Sequence, residues 1–401
     1  MSGRSRAGGW PYPGSALTSQ VVRVDVLVVG AGLAGLHTAR RLAERDLSVL
    51  VVERRRSLTA GIRTTGIFVR RTLDDFSLPD HLLGPGIRDV LLYPPSRRSP
   101  IRLTSDRDEY RVADMAAVYE HARRAAEVAG VRVMLGVRYA GASHDSPATH
   151  LLIGAEPVSA RFLIGADGAR SRVARDLGLD VNRRFLVGAE LVHPVASGRN
   201  TPAFHCVLDP RVAPGYLAWV IDDGRHAHVG VAGYPSVMRA GVRHLLDAFA
   251  ADAPGRTAPA GPIERRGGPI PVGGVLRRLA SPAGLLVGDA AGAVSPLTAG
   301  GLDPCLRLSE LAASVTADFL RTGDQHELRR YDGGGLRSHF SGRLLLRRAY
   351  AAVRSPGAAE AAVALLRNRA GRAMAARVLF GDRSFPDVTT HPVPVGRNSG
   401  T

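Results

Sequence analysis

The stretch VDVLVVGAGLAGLHTARRLAERDLSVLVVER, Val24 to Arg54, carries the strongest fold signal in the chain. It opens with an apolar run, Val26 to Val29, that ends at a glycine and is typical of a strand buried in a parallel sheet. Apolar residues then recur at helical spacing from Leu33 to Ala43, and a second apolar run, Val49 to Val52, ends at Glu53. The pattern predicts a strand–helix–strand unit of about thirty residues.

Three glycines in this unit have separate roles. Gly30 permits the tight turn, Gly32 lets the backbone approach a pyrophosphate, and Gly35 lets the helix pack on the strand. The helix N-terminus offers unpaired N–H groups to an anion, and Glu53 can accept hydrogen bonds from a ribose. These features predict a dinucleotide site made by Gly30, Ala31, Gly32, Leu33, Ala34, Gly35, Glu53 and Arg54. A glycine turn that only packs helix on sheet is the alternative, and the motif alone does not separate NAD from FAD.

A second signal lies in RFLIGADGARSRVARDLGL, residues 161–179. A buried strand over Phe162 to Ile164 runs into Asp167 and Gly168 and then into a helix. An acid between glycines at a strand end can hold a donor network near phosphates. An ordinary Asp-Gly turn is the alternative.

The third signal is GLLVGDAAGAVSPLTAGGLDPCLRLSE, residues 284–310. Leu285 to Val287 form a predicted strand, and Asp289 after it can accept from a sugar-like hydroxyl. We predict a following helix with Asp303 as N-cap and Pro304 as its first residue. The backbone N–H groups of Gly301 and Leu302 would then face a ligand.

Together, and in this order, the three blocks resemble the FAD-dependent oxidoreductases of the p-hydroxybenzoate hydroxylase fold, over roughly residues 25–320. Within that group, GDAAGAVSPLTAGGL is most similar to the geranylgeranyl reductase family, whereas aromatic hydroxylases usually carry histidine where Gly292 stands. PGYLAWVIDDGRHAHVGVAGY (214–234) and GGPIPVGG (267–274) also resemble the reductases. Two departures stand out: residues 54–68 lack the reductases' cysteine-glycine pair, and their aromatic segment keeps only Tyr216.

The resemblance implies a role for each motif. The first glycine turn with Glu53 would hold the ADP half of FAD, Asp167 and Gly168 would lie near the pyrophosphate, and Asp289 would bind the ribityl region. The loop from Pro296 through Gly300 and Gly301 to Leu302 would lie along the isoalloxazine, where the helix N-terminus favours negative charge. Arg111 is a candidate phosphate or flavin contact. Tyr216 and Trp219 are candidate substrate contacts, with core packing as the alternative.

The predicted fold class is α/β, with a Rossmann-like FAD-binding domain interleaved with an antiparallel-sheet substrate domain and a C-terminal helical region. The predicted bounds are 21–180 and 269–322 for the two parts of the FAD domain, 181–268 for the substrate domain, 323–380 for the helical region, and 1–20 and 381–401 for flexible ends.

Composition excludes several function classes. The net charge is +17, but all 53 basic residues are arginine and their pairs are scattered, so we predict no nucleic-acid partner. The absence of lysine excludes Schiff-base chemistry and disfavours a flavin halogenase, whose family mechanism uses a lysine. Two cysteines at no zinc spacing predict no metal and a reducing compartment. No apolar window spans a membrane and the N-terminus does not read as a signal peptide, so we predict a cytoplasmic protein.

The leading functional hypothesis is an FAD-dependent, reductase-like enzyme acting on a hydrophobic small metabolite, with an isoprenoid as one candidate. NAD(P)H or another reductant would be the electron donor, and it would bind transiently because no second dinucleotide fingerprint occurs. The alternatives are an FAD monooxygenase of aromatic or polyketide-like metabolites and a non-enzymatic flavin sensor or lipid-surface binder.

Several single residues carry open hypotheses. The candidates for a catalytic acid are His193, His205, His226 and His228. The simpler interpretation is that these histidines are packed in the core or lie on the surface. Cys305 is interpreted as a small buried residue. One Arg-rich segment has two interpretations: it makes peripheral membrane contact, or it is a solvated helix packed on its own domain. The residues concerned are Arg347, Arg348 and Arg354, with Leu344 to Leu346.

Overall fold

A computed structural model describes residues 22–143, 148–196 and 202–381. Its largest sheet has eight strands, of which five run parallel. The eight strands are β1 (Val22–Val29), β2 (Val49–Glu53), β7 (Arg132–Leu135), β8 (Arg138–Ala142), β9 (Thr149–Ile153), β10 (Val158–Gly165), β16 (Ala280–Ser281) and β17 (Gly284–Leu286). Strand β16 joins antiparallel at one edge, and the hairpin of β8 and β9 pairs antiparallel with the start of β10.

The second sheet has seven strands in the order β15-β11-β14-β13-β12-β4-β5, all antiparallel except the parallel β12–β4 pair. These strands are β4 (Asp89–Tyr93), β5 (Ile101–Thr104), β11 (Phe185–Pro194), β12 (Ala203–Val207), β13 (Ala218–Asp222), β14 (His226–Gly233) and β15 (Glu264–Pro271). A two-stranded sheet joins β3 (Ile67–Val69) to β6 (Tyr110–Val112). Two strands of the large antiparallel sheet therefore come from residues 89–104, inside the segment assigned from sequence to the FAD domain.

Eleven α-helices lie within the described residues. They are α1 (Leu33–Ala43), α2 (Arg70–Asp75), α3 (Met115–Val128), α4 (Val173–Asp176), α5 (Val242–Ala251), α6 (Leu302–Thr322), α7 (His326–Arg329), α8 (Gly333–Ser338), α9 (Ser341–Ala351), α10 (Pro356–Leu365) and α11 (Arg369–Phe380). None of the helices in this part of the chain is long and apolar enough to cross a membrane.

The strands of the three sequence motifs are neighbours in the first sheet. β1 lies between β2 and β10, with Val29 opposite both Val52 and Gly165, and β17 follows β10, with Leu286 opposite Gly165. Their side chains are buried on both faces of the sheet, as the continuous apolar runs predict. Because parallel strands end at the same edge, the three motif loops meet there.

The α/β class, with interleaved parallel and antiparallel sheets and a C-terminal helical region, is confirmed. The N-cap prediction is wrong: α6 begins at Leu302 with Gly301 as its N-cap, so Asp303 lies inside the first turn. Its carboxylate instead accepts from Thr72 Oγ1 at 2.9 Å and from Arg307 Nε at 2.8 Å. The two ends predicted to be flexible lie outside the described residues, apart from Gly381.

Candidate cofactor and substrate site

The first motif forms a tight turn in which Gly30 and Gly35 are closely packed and Gly32 faces open space, as the sequence predicts. A Cβ built on Gly30, whose φ is +108°, would stand 2.3 Å from the carbonyl oxygen of Ala166. A Cβ on Gly35 would stand 1.9 Å from the Gly30 carbonyl oxygen. Gly32 differs, since its Cβ would meet nothing within 4 Å. The turn therefore packs tightly on its protein side and leaves open space where the helix N-terminus begins.

Glu53 is buried at the end of β2 and is held by the same turn. Its Oε2 accepts from the Ala31 N–H at 3.0 Å, and its Oε1 accepts from the Arg55 N–H at 2.9 Å and from Arg55 Nε at 3.2 Å. Burial opposes ionisation, but these donors and the Arg55 charge outweigh it and lower the pKa of Glu53. The carboxylate is thus ionised near neutral pH and keeps lone pairs for a further donor. Arg54 is exposed, and its neighbour Arg55 is the one that contacts Glu53.

Replacing Glu53 by alanine is expected to weaken FAD binding by about 1–3 kcal/mol, the range for removing a buried hydrogen-bond partner. Fluorescence titration of the apoprotein with FAD measures this change. Glu44→Ala, which removes a carboxylate bound to arginines on the outer face of α1, is the control. Equal FAD affinities for wild type and Glu53→Ala would remove Glu53 from the site.

The second motif lies directly against the first. The Ala166 N–H donates to the Val29 carbonyl, which fixes the Asp167–Gly168 turn beside Gly30. Asp167 Oδ2 accepts from the backbone N–H groups of Arg172 and Val173 at 2.6 and 3.2 Å. Its Oδ1 is buried and has no hydrogen-bond partner among the described residues, and a Cβ on Gly168 would meet nothing within 4 Å. Because buried polar atoms in proteins are normally hydrogen-bonded, this unpaired oxygen beside open space indicates that a ligand or water donates a hydrogen bond to it.

The third motif brings Asp289 to the same cleft. Its side chain is reachable by water, yet protein atoms surround it closely enough that desolvation raises the pKa of the carboxyl to about 6. Asn182 Nδ2 donates to the carbonyl oxygens of Asp289 at 2.8 Å and Ala169 at 3.2 Å, which ties the third motif to the second. A Cβ on Gly301 would stand 3.7 Å from Asp289 Oδ1. Asp289 and the start of α6 therefore line one cleft.

The loop from Pro296 to Leu302 is held from both sides. The Ser295 N–H donates to the Gly300 carbonyl at 2.9 Å, and Arg343 Nη1 donates to Ser295 Oγ at 2.9 Å. Tyr216 Oη donates to the Thr298 carbonyl at 2.6 Å, which joins the loop to the second sheet. The buried ring of Tyr216 packs in an apolar cluster that contains Leu186, Tyr216, Ala232 and Val272, with Ile270 and Ala299 against it.

One face of the second sheet looks toward this loop. Ala189, Leu191, Val229 and Val231 share a cluster with Leu246 and Phe249 of α5, so they occupy the other face. Because strand side chains alternate, Glu190, His228 and Trp219 lie on the same face as the apolar cluster at the loop. The Trp219 ring lies over Gly230, where a Cβ would stand 2.1 Å from it.

Glu190 and His228 form a buried charged cluster on this face. Thr65 Oγ1 and Trp219 Nε1 donate to Glu190 Oε1 at 2.6 and 3.1 Å. His228 Nε2 lies 3.1 Å from Asp223 Oδ2, and His228 Nδ1 lies 3.8 Å from Glu190 Oε2, an ion-pair distance. Burial disfavours the imidazolium, but the two carboxylates outweigh it and raise the pKa of His228 to about 9. The imidazole is therefore protonated at neutral pH.

The remaining candidates have other partners. Arg111 donates to the Gly84 carbonyl and to Asp80, and its flavin role stays a prediction. His193 contacts its neighbour's carbonyl, and His205 stacks on Tyr93. Both cysteines are free and buried. Within the described residues, no group of histidine, cysteine or acidic side chains could hold a metal.

Sequence reasoning missed Asn182, Tyr119, Thr65, Glu190 and Asp223. Tyr119 on α3 lies near Arg55, whose guanidinium is 5.9 Å from its ring, and burial raises the pKa of Tyr119 to about 12. One signal was available: Glu190 is an acid in the middle of the apolar strand FLVGAELVHP, and a buried acid needs partners.

The cleft fits a ligand with phosphates and hydroxyl groups. It offers the open N-terminus of α1, the unpaired Asp167 oxygen, and the carboxyls of Glu53 and Asp289. Residues 23–197 match the family model of the FAD binding domain. A fold, a cleft and a family match of this kind define an FAD-dependent oxidoreductase.

Similar proteins narrow the class. The chain is 30% identical over 319 residues to digeranylgeranylglycerophospholipid reductase 1 of Methanopyrus kandleri, covering 75% of this chain and 82% of that protein. It is 30% identical over 342 residues to the corresponding reductase 1 of Methanothermobacter thermautotrophicus, covering 76% and 79%. A geranylgeranyl bacteriochlorophyll reductase-like structure from Thermoplasma acidophilum superposes with a TM-score of 0.78 at 22% identity, covering 90% and 98%. The chain belongs to the geranylgeranyl reductase family.

Proposed function

We propose that this enzyme reduces carbon–carbon double bonds in the isoprenoid chain of a lipid substrate, with NAD(P)H or another external reductant as electron donor. The observation that carries the proposal is the 30% identity, across most of both chains, to reductases of a digeranylgeranylglycerophospholipid. Solved flavin-dependent halogenases and hydroxylases share the fold at TM-scores of 0.55 to 0.67, which speaks to the fold alone.

In this proposal, the turn from Gly30 to Gly35 with Glu53 holds the ADP half of FAD. Asp167, Gly168 and Asp289 bind its central part, and the loop from Pro296 to Leu302 lies along the flavin ring. FAD bound there, once reduced by the external donor, would supply the hydride for the reduction. The protein orients the substrate and excludes water, and Tyr216 and Trp219 line the substrate side.

The face of the second sheet next to the loop from Pro296 to Leu302 is suited to an apolar substrate. The apolar cluster of Leu186, Tyr216, Ala232 and Val272 lies beside the loop from Pro296 to Leu302, which Tyr216 contacts through the Thr298 carbonyl. Gly292 has φ +69°, and a Cβ there would stand 2.7 Å from the Gly274 carbonyl oxygen. The histidine usual in the hydroxylases therefore does not fit this backbone.

The cellular setting belongs to the same proposal. A cytoplasmic location with peripheral membrane contact suits a membrane-dissolved substrate, and Leu345 and Leu346 on α9 are exposed. Arg347 does not take part in such a surface, since it is 3% exposed and lies between the rings of Tyr216 and Tyr234. We retain the domain bounds 21–180, 181–268, 269–322 and 323–380 as proposed units, with the exception that β4 and β5, within 21–180, belong to the second sheet.

Product is expected to form under strict anaerobiosis once the flavin is reduced with dithionite. A hydride from the reduced cofactor and a proton suffice to saturate a double bond, so oxygen has no role. The measurement is mass spectrometry of a digeranylgeranylglycerophospholipid after incubation with the reduced enzyme, where each saturated bond adds two hydrogens. Boiled enzyme with dithionite is the control.

A monooxygenase would behave in the opposite way. Product that is absent without oxygen, and that carries an oxygen atom from labelled O₂ when oxygen is present, would overturn the reductase proposal. Flavin that is reduced and reoxidised without any change in the lipid would also count against it.

A further inference from the structure

A second cavity lies between the segment that follows the second motif and the segment that precedes the third motif. Its volume is about 360 Å³, within the size range of small-ligand pockets. Segments 179–184 and 273–278 and the side chain of Arg337 form its walls. The described lining contains four arginines and one acid: Arg183, Arg184, Arg278, Arg337 and Asp180.

The charges in this cavity are unbalanced. Asp180 is already engaged by Arg278, with Oδ1 and Oδ2 each 3.1 Å from an Arg278 donor. Arg183, Arg184 and Arg337 form no ion pair with a carboxylate anywhere in the described part of the chain. Other arginines differ, since Arg40, Arg123 and Arg330 each bind a nearby acid.

Arg337 is the centre of this group. It is half-buried on α8, and its Nη1 donates to the Val275 carbonyl at 2.8 Å, which aims the guanidinium along the cavity wall. Burial lowers the pKa of Arg337, and the charges of Arg277, Arg184 and Arg348 lower it further. Like charges held together at a half-buried position cost free energy that a bound anion would offset.

The backbone adds donors to the same wall. Gly274 has φ +77°, and the N–H groups of Gly273 and Gly274 donate to no acceptor among the described residues. A Cβ on Gly274 would stand 3.4 Å from Arg337 Nη1, so this turn and the guanidinium are adjacent. Free N–H groups beside a left-handed residue are a recurrent element of anion sites.

The cavity lies near both Asp289 of the third motif and an apolar surface. Asn182 lines it and donates to the Asp289 carbonyl, so the wall is one hydrogen bond from the third motif. On the other side, the Leu344 side chain approaches Gly274, while Leu345 and Leu346 on the same helix are 67% and 39% exposed. An arginine-lined cavity therefore stands next to exposed leucines.

We propose that this cavity binds a phosphate or diphosphate group through Arg183, Arg184 and Arg337, which line it. Guanidinium groups match phosphate oxygens in a planar, two-pronged geometry, and the Gly273–Gly274 backbone supplies further donors. The phosphate belongs either to a lipid head group, whose chains would lie along Leu345 and Leu346, or to a soluble molecule. The site does not depend on the double-bond chemistry proposed above.

The test is calorimetric titration of the FAD-loaded full chain with inorganic pyrophosphate at low ionic strength. Arg337→Gln and the exposed Arg184→Gln are each expected to weaken binding about tenfold or more, the scale of a lost charge-assisted hydrogen bond. Arg239→Gln removes the same charge from an exposed arginine outside the cavity and is expected to bind like wild type. Thermal unfolding midpoints and FAD content verify that each variant is folded.

A second arm separates the two phosphate sources. Phosphatidylcholine vesicles with and without phosphatidic acid are mixed with each variant, and bound protein is measured by flotation. Binding that requires phosphatidic acid and is lost in Arg337→Gln and Arg184→Gln assigns the site to a lipid head group. Pyrophosphate binding with no such vesicle binding assigns it to a soluble phosphate. Absence of both kinds of binding, or equal weakening by Arg239→Gln, would overturn the proposal whether or not the enzyme reduces a lipid.

Discussion

Gly30→Ala is expected to destabilise the apoprotein by about 2–6 kcal/mol, whereas Gly32→Ala, two residues away, leaves its stability within about 1 kcal/mol of wild type. At Gly30 the new Cβ would stand 2.3 Å from the Ala166 carbonyl oxygen, a backbone atom that cannot rotate away, at φ +108°. The strained dihedral costs about 1–3 kcal/mol and the overlap a similar amount. Gly32 has φ −75° and open space, so alanine fits there.

Gly32→Ala, which leaves the stability nearly unchanged, is expected to weaken FAD binding. In Gly32→Ala a methyl group occupies the space at the helix N-terminus that the cofactor phosphates need, so the affinity falls at least about tenfold, or about 1.4 kcal/mol, in a folded protein. Urea unfolding of the apoprotein measures stability, and fluorescence titration measures FAD affinity. Unchanged FAD affinity in Gly32→Ala would contradict the proposed position of the pyrophosphate.

His228→Ala is expected to destabilise the protein by about 3–5 kcal/mol at pH 6, because Glu190 and Asp223 would lose their shared cation while remaining buried. Thr65→Val is the matched variant. It removes one hydrogen bond to Glu190 and leaves the charges in place, so about 1 kcal/mol is expected.

The pH dependence follows from the pKa directions. His228 has a folded pKa of about 9 against an ordinary value of 6.5, so its stabilisation is complete below about pH 6.5 and is lost as the pH rises through 9. Burial raises the pKa values of Glu190 and Asp223, but contacts with His228 and other donors outweigh it and lower them. Their contribution is therefore present above their unfolded pKa values and is lost at lower pH.

The stability difference between wild type and His228→Ala is thus expected to be largest near pH 5–6 and to shrink by pH 9.5. Urea unfolding of the apoprotein at both pH values measures it. A difference that does not change between pH 6 and 9.5 would show that His228 is neutral in the folded protein.

Much of the cofactor-binding sheet and its motif loops was predictable from the sequence, because the residue patterns that specify them are local. A continuous apolar run, a glycine turn and a helical repeat within thirty residues specify β1, α1 and β2, and the structure has them at Val22–Val29, Leu33–Ala43 and Val49–Glu53. The order of the three motifs carried the resemblance to the flavoprotein family. The roles assigned to individual residues of the cleft stay predictions, although the three motif loops do meet at one sheet edge.

The proposed substrate face of the second sheet was not predictable in the same way, because it is formed by contacts between distant parts of the chain. Thr65 and Glu190 are 125 residues apart, and Asn182 and Asp289 are 107 apart, so no local pattern pairs them. Asp303 illustrates the same point: local preference predicts an N-cap, but a salt bridge to Arg307 and a hydrogen bond from the distant Thr72 hold its carboxylate inside the first turn. Local periodicity and turn chemistry are properties of neighbouring residues, whereas the partners of a buried charge are chosen by sheet register and helix packing.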